Sequence, residues 1–222
     1  MCNLYSITKG QEAIRRLFEI QRDFTGNLPP LTGVYPDGMA PVVSLGKDGA
    51  RELGMMRWGF PPPPNLGRMP VTNVRNAQSA YWRGWLKAPY RCLVPATSFC
   101  EWEPTAPKKT PTWFALDETR PLFAFAGIWR PWTGLRGTKA APAEGEHRLF
   151  SFLTTDANAL VWPIHPKSMP AILTTPDEWR LWLDGAPQEA LALQRPLPDD
   201  SLRIVMRGEK EDAGEASPPA GG

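Results

Sequence analysis

The spacing of apolar and charged positions changes character several times along the chain, and each change marks an element. Between residues 11 and 24, Ala13, Ile14, Leu17, Phe18 and Phe24 supply an apolar face, and Arg15, Arg16, Glu19 and Arg22 a polar one, which predicts an amphipathic helix. From 28 to 41 the pattern is broken by Pro, Gly and Asp, and an irregular surface segment is expected. Residues 41–45 and 53–58 read as strands flanking a turn at 46–49. The prolines at 61–64 enforce an extended connection poor in backbone donors. Further strands are predicted at 90–95, 112–116, 122–129, 148–154 and 202–206. Residues 133–146, rich in Gly, Ala, Pro and Lys, read as a mobile loop, and 157–162 as a short helix. Thr175-Pro176-Asp177-Glu178 carries a capping residue, Pro at the first helical position and acids in the first turn, so another helix starts there. The sum is one strand-rich α+β domain with three helices, without repeats or an interdomain linker.

Composition narrows the class. The 222 residues, 42% hydrophobic and 22% charged, suffice for a real core and are too apolar for wholesale disorder. The 26 prolines, against ordinary usage of about 5%, argue for many turns rather than a helical bundle. No run approaches the roughly 18 apolar residues of a membrane span, and Met1-Cys2-Asn3-Leu4-Tyr5-Ser6 lacks the features of a secretory signal. Three sparse cysteines, Cys2, Cys92 and Cys100, do not resemble a disulfide framework. No membrane association and a cytoplasmic location are therefore expected. The net charge of +2 conceals an asymmetry. Residues 209–222 carry one Lys against four acids and read as a disordered acidic tail, whereas the preceding chain holds 24 basic and 19 acidic side chains. A mildly positive body permits a polyanionic partner without requiring one.

Cys2 is the most informative single residue. Removal of Met1 would leave it with a free α-amine, ordinary pKa about 7.7–8.0, beside a thiol of about 8.5. That pair can attack an acyl group through sulfur, or condense with an aldehyde to an imine and then, by thiol closure, to a five-membered thiazolidine. Three polar clusters accompany it. Asn73 and Arg75 stand two apart in Thr72-Asn73-Val74-Arg75-Asn76, on one face if the segment is extended. Glu101 lies among aromatics in Phe99-Cys100-Glu101-Trp102, where desolvation would raise its pKa toward acid–base use. His165 sits between prolines, beside Lys167. Each cluster taken alone also has an ordinary structural reading: a turn Asn, a surface Glu, a solvent His. His147 and His165 are the two histidines, and no ligand pairs of zinc-site spacing occur, so no metal is expected. Neither a Walker loop nor a G-x-G-x-x-G is present, and no cofactor is expected.

Taken in order, Met1-Cys2, Met56-Arg57-Trp58-Gly59, Asn73-Val74-Arg75, Arg91-Cys92-Leu93-Val94-Pro95-Ala96, Phe99-Cys100-Glu101-Trp102, Phe125-Ala126-Gly127-Ile128-Trp129, Thr154-Thr155-Asp156-Ala157-Asn158 and His165 with Met169-Pro170-Ala171-Ile172-Leu173 resemble the SOS response-associated peptidase (SRAP) family. The resemblance spans residues 2–207 and leaves 208–222 as the acidic tail. It implies an α+β fold of antiparallel sheets, partly barrel-like, with a few flanking helices. It also implies a monomer that binds single-stranded DNA containing abasic sites and traps the ring-opened sugar as a thiazolidine crosslink. Autocatalytic removal of Met1 and a lyase side reaction belong to the same expectation. By motif, Cys2 is the nucleophile, Asn73 positions the amino terminus, and Glu101 and His165 are the acid–base residues. Arg75, Trp58, Lys167, Pro41, Thr154 and Trp82 are expected at the DNA, the tryptophans by stacking on bases. The chain departs from the family pattern at Asn3-Leu4, at Ala77 where a carboxylate is usual, at Cys100, in the four prolines after the Trp-Gly strand, and in the longer His-to-Met spacing that leaves Lys167 in a usual Arg role. Two other readings stay open: an N-terminal-nucleophile amidohydrolase, and a non-covalent single-strand-binding module.

Overall fold

The computed structural model describes residues 2–63 and 69–214. The first half forms β1 (Tyr5–Ile7), α1 (Gln11–Leu17), β2 (Arg22–Asp23), β3 (Leu31–Val34), β4 (Met39–Leu45), β5 (Arg51–Trp58), β6 (Asn73–Val74), β7 (Arg91–Ala96), β8 (Ser98–Glu103) and β9 (Thr110–Ala115). The second half adds β10 (Phe123–Gly137), β11 (Pro142–Thr155), β12 (Met169–Pro170), β13 (Ile172–Leu173), α2 (Pro176–Asp184), α3 (Pro187–Leu191) and β14 (Arg203–Arg207).

Five of these strands close on themselves. β5 pairs with β4, β4 with β7, β7 with β10 and β10 with β11; β11 then returns to β5 in parallel, with Leu149 opposite Arg57 and Phe150 opposite Trp58. Closure leaves these strands without a free edge. All six residues of β7 and the first six of β10 are buried, so the apolar runs Arg91–Ala96 and 123–128 do not alternate. Strands covered on both faces read this way. The outer cover is α2, whose Trp182 Nε1 donates to the carbonyls of Cys92 and Gly127, both at 2.9 Å. Thr175 and Glu178 form the capping box expected from their sequence.

A second, antiparallel sheet runs β14-β9-β8-β1-β3. Tyr5 ties it to the barrel: its ring meets Trp58, Phe125 and Phe152 edge-on, with centroids 5.2–6.1 Å apart. Burying each such aromatic is worth roughly 1.5–3 kcal/mol. The strand-rich α+β class, the antiparallel sheets and the partial barrel agree with expectation.

Several elements differ from the sequence reading. The first helix stops at Leu17: Ile14 is its fully buried residue, and Phe18, also fully buried, caps its C-terminal end. Arg22 then leaves the helical path to pair with Asp48 and Glu52, Arg22–Asp23 forms β2 beside β5, and Phe24 stays exposed. The segment 28–41 contains β3 and the start of β4; β1 spans only three residues, and β8, buried at its first four positions, shows no alternation. Residues 133–146 are not a loop but the far end of a long β10–β11 ribbon, in register from Gly127 opposite Phe152 to Gly137 opposite Pro142. Trp132 stacks on His147 across that ribbon, and Arg136 anchors it to Asp37 and the Gly59 carbonyl. Residues 157–162 make a single helical turn rather than a helix. Pro64 and residues 215–222 lie outside the described residues. Residues 209–214, read from composition as the start of a disordered tail, dock instead. Trp113 Nε1 donates to the Glu209 carbonyl, Tyr35 to the Lys210 carbonyl, and Asp212 is completely buried.

Candidate active site around Cys2

The amino-terminal segment continues the line of β1 alongside β8: Tyr5 lies opposite Phe99, and the Cys100 N–H donates to the Leu4 carbonyl at 2.9 Å. This pairing carries residue 2 to the stretch of β8 that bears Glu101. Cys2 is fully buried, and its Sγ donates to the Leu4 carbonyl at 3.4 Å. From the other side comes β6, held parallel to β11 with Asn73 opposite Phe152. Asn73 Nδ2 donates to the Cys2 carbonyl at 3.1 Å, and Thr72 Oγ1 to Asn3 Oδ1 at 3.2 Å. Gln194 locks this edge by donating to the carbonyls of Arg75 and Thr154.

Glu101 is 2% exposed, and its Oε2 lies 3.8 Å from His165 Nδ1, too far for a hydrogen bond. His165 Nδ1 instead donates to the Ser168 carbonyl at 2.7 Å, which assigns its proton to Nδ1 and the lone pair to Nε2. Burial raises the Glu101 carboxyl to about 8. Burial also pushes His165 below its ordinary value, with the positive charges of Lys167 and Lys109 acting in the same direction. Near pH 7 the two are thus mainly a neutral acid beside a neutral imidazole, not an ion pair. The Cys2 thiol is raised well above its ordinary range by burial and then by the Glu101 charge, so it too is neutral.

Three buried oxygens in this region have no hydrogen-bond partner among the described residues: Glu101 Oε1, Asn73 Oδ1 and Thr154 Oγ1. Thr154 stands two residues beyond Phe152, on the same face of β11. Native structures leave few buried acceptors unpaired, so such a group asks for a donor. A primary ammonium offers three.

The four residues proposed for chemistry thus gather in one place: Asn73 bonds to Cys2, and Glu101 lies 3.8 Å from His165 and acts electrostatically on Cys2. The residues proposed for DNA contact divide. Arg75 and Lys167 are exposed, Arg75 in an ion pair with Asp156. Trp58 is wholly buried, stacked on Phe152 at 5.2 Å with its indole N–H donating to the Thr72 carbonyl, so no base can reach its face. Trp82 packs on Phe60 in the core, and Pro41 is buried in β4 opposite Met55. Thr154 is buried as well. An apolar strand motif such as Met56-Arg57-Trp58 marks core as readily as contact surface, and the structure buries all four of these side chains. Sequence reasoning missed Ser168, which fixes the imidazole, and Lys109, whose charge reaches it. Both act across loops, and no local pattern announces them.

Cavities of about 650 and 600 Å³ open elsewhere, one beside Tyr90, Trp129 and Arg148, the other beside Arg195 and Ser201, and neither is lined by these residues. Among the described residues no group of three or more His, Cys, Asp or Glu is placed to hold a metal ion, and no helix is long and apolar enough to cross a membrane.

The family profile described as SOS response associated peptidase (SRAP) matches residues 1–207. A protein named abasic site processing protein YoqW, from Bacillus subtilis (strain 168), is 30% identical over 219 residues, covering 93% of this chain and 92% of the relative. The abasic site processing protein HMCES of Gallus gallus is 31% identical over 179 residues, covering 70% of this chain and 53% of that protein. A crystal structure of a protein from Bordetella bronchiseptica superposes with a TM-score of 0.72 at 23% identity, covering 93% of this chain and 98% of the other. That likeness establishes a common fold.

Proposed function

The chain belongs to the SOS response associated peptidase family, and we propose that it processes abasic sites in single-stranded DNA by trapping the ring-opened sugar covalently on Cys2. The reading rests on three supports: the motif order, the names of the relatives, and the contacts around the amino terminus. The observation that carries it is a buried, proton-holding Glu101, with an oxygen unpartnered among the described residues, next to His165 and to a Cys2 whose carbonyl Asn73 grips.

The chemistry begins with hydrolysis of the Met1–Cys2 amide. Sγ adds to the Met1 carbonyl, the nitrogen leaves with a proton, and water releases Met from the thioester. The freed amine adds to the C1′ aldehyde of the abasic sugar, and loss of the aldehyde oxygen as water gives an imine. Sγ then adds to the same carbon while the thiol proton passes to nitrogen, closing the thiazolidine. One aldehyde and one aminothiol yield one ring and one water, without an oxidant. Protonated Glu101 supplies the proton that the departing oxygen needs. The imidazole of His165 accepts protons from the ammonium and the thiol, and Asn73 holds the Cys2 backbone still while both bonds form. Arg75 and Lys167 take the flanking phosphates. The crosslink shields the site from strand cleavage and error-prone bypass.

The test is a denaturing gel of the purified protein with single-stranded oligonucleotides, with and without an abasic site. A heat-stable shifted band with abasic DNA only, lost in Cys2→Ala, is the expected result. A band that survives Cys2→Ala excludes the mechanism. Salt-sensitive binding that ignores the abasic site, with no covalent band, would favour a non-covalent binding module.

A further inference from the structure

Of the ten tryptophans in the chain, Trp162 alone is exposed, at 60%. It stands on the segment that delivers His165. The Trp162 N–H donates to the Asn158 carbonyl at 2.9 Å and the His165 N–H to the Val161 carbonyl at 2.8 Å, so residues 158–165 wind through a helical turn. Positions 162 and 165 are three apart on that turn, which puts their Cβ atoms roughly 5–6 Å from each other on one face. His165 in turn lies 3.8 Å from Glu101.

The turn is rigidly mounted. Asn158, itself buried, accepts from the Val161 N–H at 3.1 Å and donates to the carbonyls of Leu197 and Pro198, both at 3.4 Å. The Ala159 N–H donates to Asp199 at 2.7 Å. Pro163 stiffens the next link. An indole presented on a fixed turn loses little freedom when a flat partner covers it. Positive charge reaches the imidazole on this turn: exposed Lys167, two residues after His165, and Lys109 both act on it electrostatically. An exposed aromatic face beside cations is the arrangement that holds a base and its phosphate in single-strand recognition.

We propose that Trp162 is the platform on which the nucleobase next to the abasic nucleotide stacks, with Lys167 on its phosphate. The assignment rests on the reading of Cys2 as the trap for the abasic sugar, and gives the substrate a contact that Trp58 and Trp82, buried in the core, do not provide. It makes Trp162 a binding residue, acting on DNA affinity and on the register of the sugar over Cys2.

The experiment compares wild type, Trp162→Ala and Trp162→Phe on single-stranded oligonucleotides carrying one abasic site, in two arms. In the first, covalent trapping is followed on denaturing gels against protein concentration. Trp162→Ala is expected to raise the half-saturating concentration roughly 5- to 160-fold, the range of a lost base–aromatic stack, and Trp162→Phe to recover most of it. Replacing the neighbouring base by a second abasic spacer should weaken wild type to the level of Trp162→Ala and leave Trp162→Ala itself little changed. In the second arm, reversible binding is measured in a Cys2→Ala background, with tryptophan emission as readout. Quenching on DNA addition that disappears in Trp162→Phe supports stacking. Equal affinity of all three proteins in this arm overturns the proposal, whether or not the wild type crosslinks. Loss of a dimer in Trp162→Ala at unchanged DNA affinity also overturns it, by making Trp162 a contact between copies of the chain. Absence of a covalent band in wild type refutes the trapping reading alone, because the second arm still decides the role of Trp162.

Discussion

The chain buries two carboxylates against the same five-stranded sheet, Glu101 in the middle of the sequence and Asp212 close to its carboxy-terminal end, and treats them in opposite ways. Asp212 is fully buried and fully used: Arg120 Nε donates to both of its oxygens at 2.9 Å, Ser98 Oγ to one at 2.6 Å and the Gly214 N–H to the other at 3.1 Å. Ser98 continues the network to Ser6 on β1 at 2.7 Å. Glu101, three residues beyond Ser98 on the same strand, is almost as deeply buried but has one oxygen without a partner among the described residues, and the imidazole it faces, His165 at 3.8 Å, is itself neutral near pH 7. A buried charge that is paired and hydrogen-bonded holds structure together. A buried carboxyl denied those partners keeps its proton and is left with chemistry to do. Burial alone does not separate the two; satisfaction of the lone pairs does.

Glu101→Gln tests the reactive half of this contrast and carries the largest expected effect. Gln keeps the shape and removes the transferable proton, so the rate of covalent trapping near neutral pH should fall about 10²- to 10⁴-fold. The same variant reads out the burial cost. The folded carboxyl titrates at about 8 against an ordinary 4.5. Between these values the folded chain holds a proton that the unfolded chain has released, so this group lowers stability progressively as pH rises, and the loss is complete above about 8. Urea denaturation at pH 5 and pH 8.5 should therefore show wild type weakening relative to Glu101→Gln. Parallel profiles would mean that Glu101 is ionised inside the fold, and its difference from Asp212 would vanish.

Asp212→Ala probes the structural half. It leaves the buried Arg120 guanidinium without its counter-charge and removes the partner of Ser98, a change that costs about 3–5 kcal/mol. For a domain of this size that corresponds to a melting point lower by roughly 6–20 °C. Asp212→Asn, which can still accept from Ser98, should recover part of the loss. A drop below about 1 kcal/mol would show that residues 209–214 do not dock as described.

The same contrast explains how much was legible in the sequence. The barrel strands could be read because their apolar runs are long, and α2 because Thr175, Pro176 and Glu178 form a local cap. Cys2, Asn73, Glu101 and His165 were recognisable through their surrounding motifs, although the bonds that join them span up to 71 residues, as from Asn73 to Cys2. The docking of Asp212 was illegible: its partners Arg120 and Ser98 lie 92 and 114 residues away, and the surrounding Glu, Lys and Gly read as a solvated tail. The β10–β11 ribbon was hidden because Gly134, Gly137 and Gly145, all at positive φ, give a strand pair the composition of a loop. Gly137 has no alternative, since a Cβ there would lie 2.3 Å from the Ala141 carbonyl oxygen. Trp58 shows the converse case: a motif resemblance suggested a contact surface, and packing buries the ring in the core.

The smallest expected effect concerns a charge between these extremes. Arg75 is half exposed and bonded to the still more exposed Asp156. Exposed pairs are worth about 0–1 kcal/mol, because water screens both charges and holding the side chains costs entropy. Either single substitution should therefore shift stability only within that range. DNA binding should respond more. A phosphate taken by Arg75 must displace Asp156, so Asp156→Asn should tighten single-strand binding roughly two- to fivefold at low salt. Arg75→Gln should weaken it and reduce the slope of log affinity against log salt by about 0.7, the share of one phosphate contact on a single strand. Titrations at three salt concentrations decide between competition and support: weaker binding by Asp156→Asn would mean that the carboxylate aims the guanidinium at the DNA, as Asp212 aims Arg120 within the fold, and that full pairing of a charge does not by itself remove it from function.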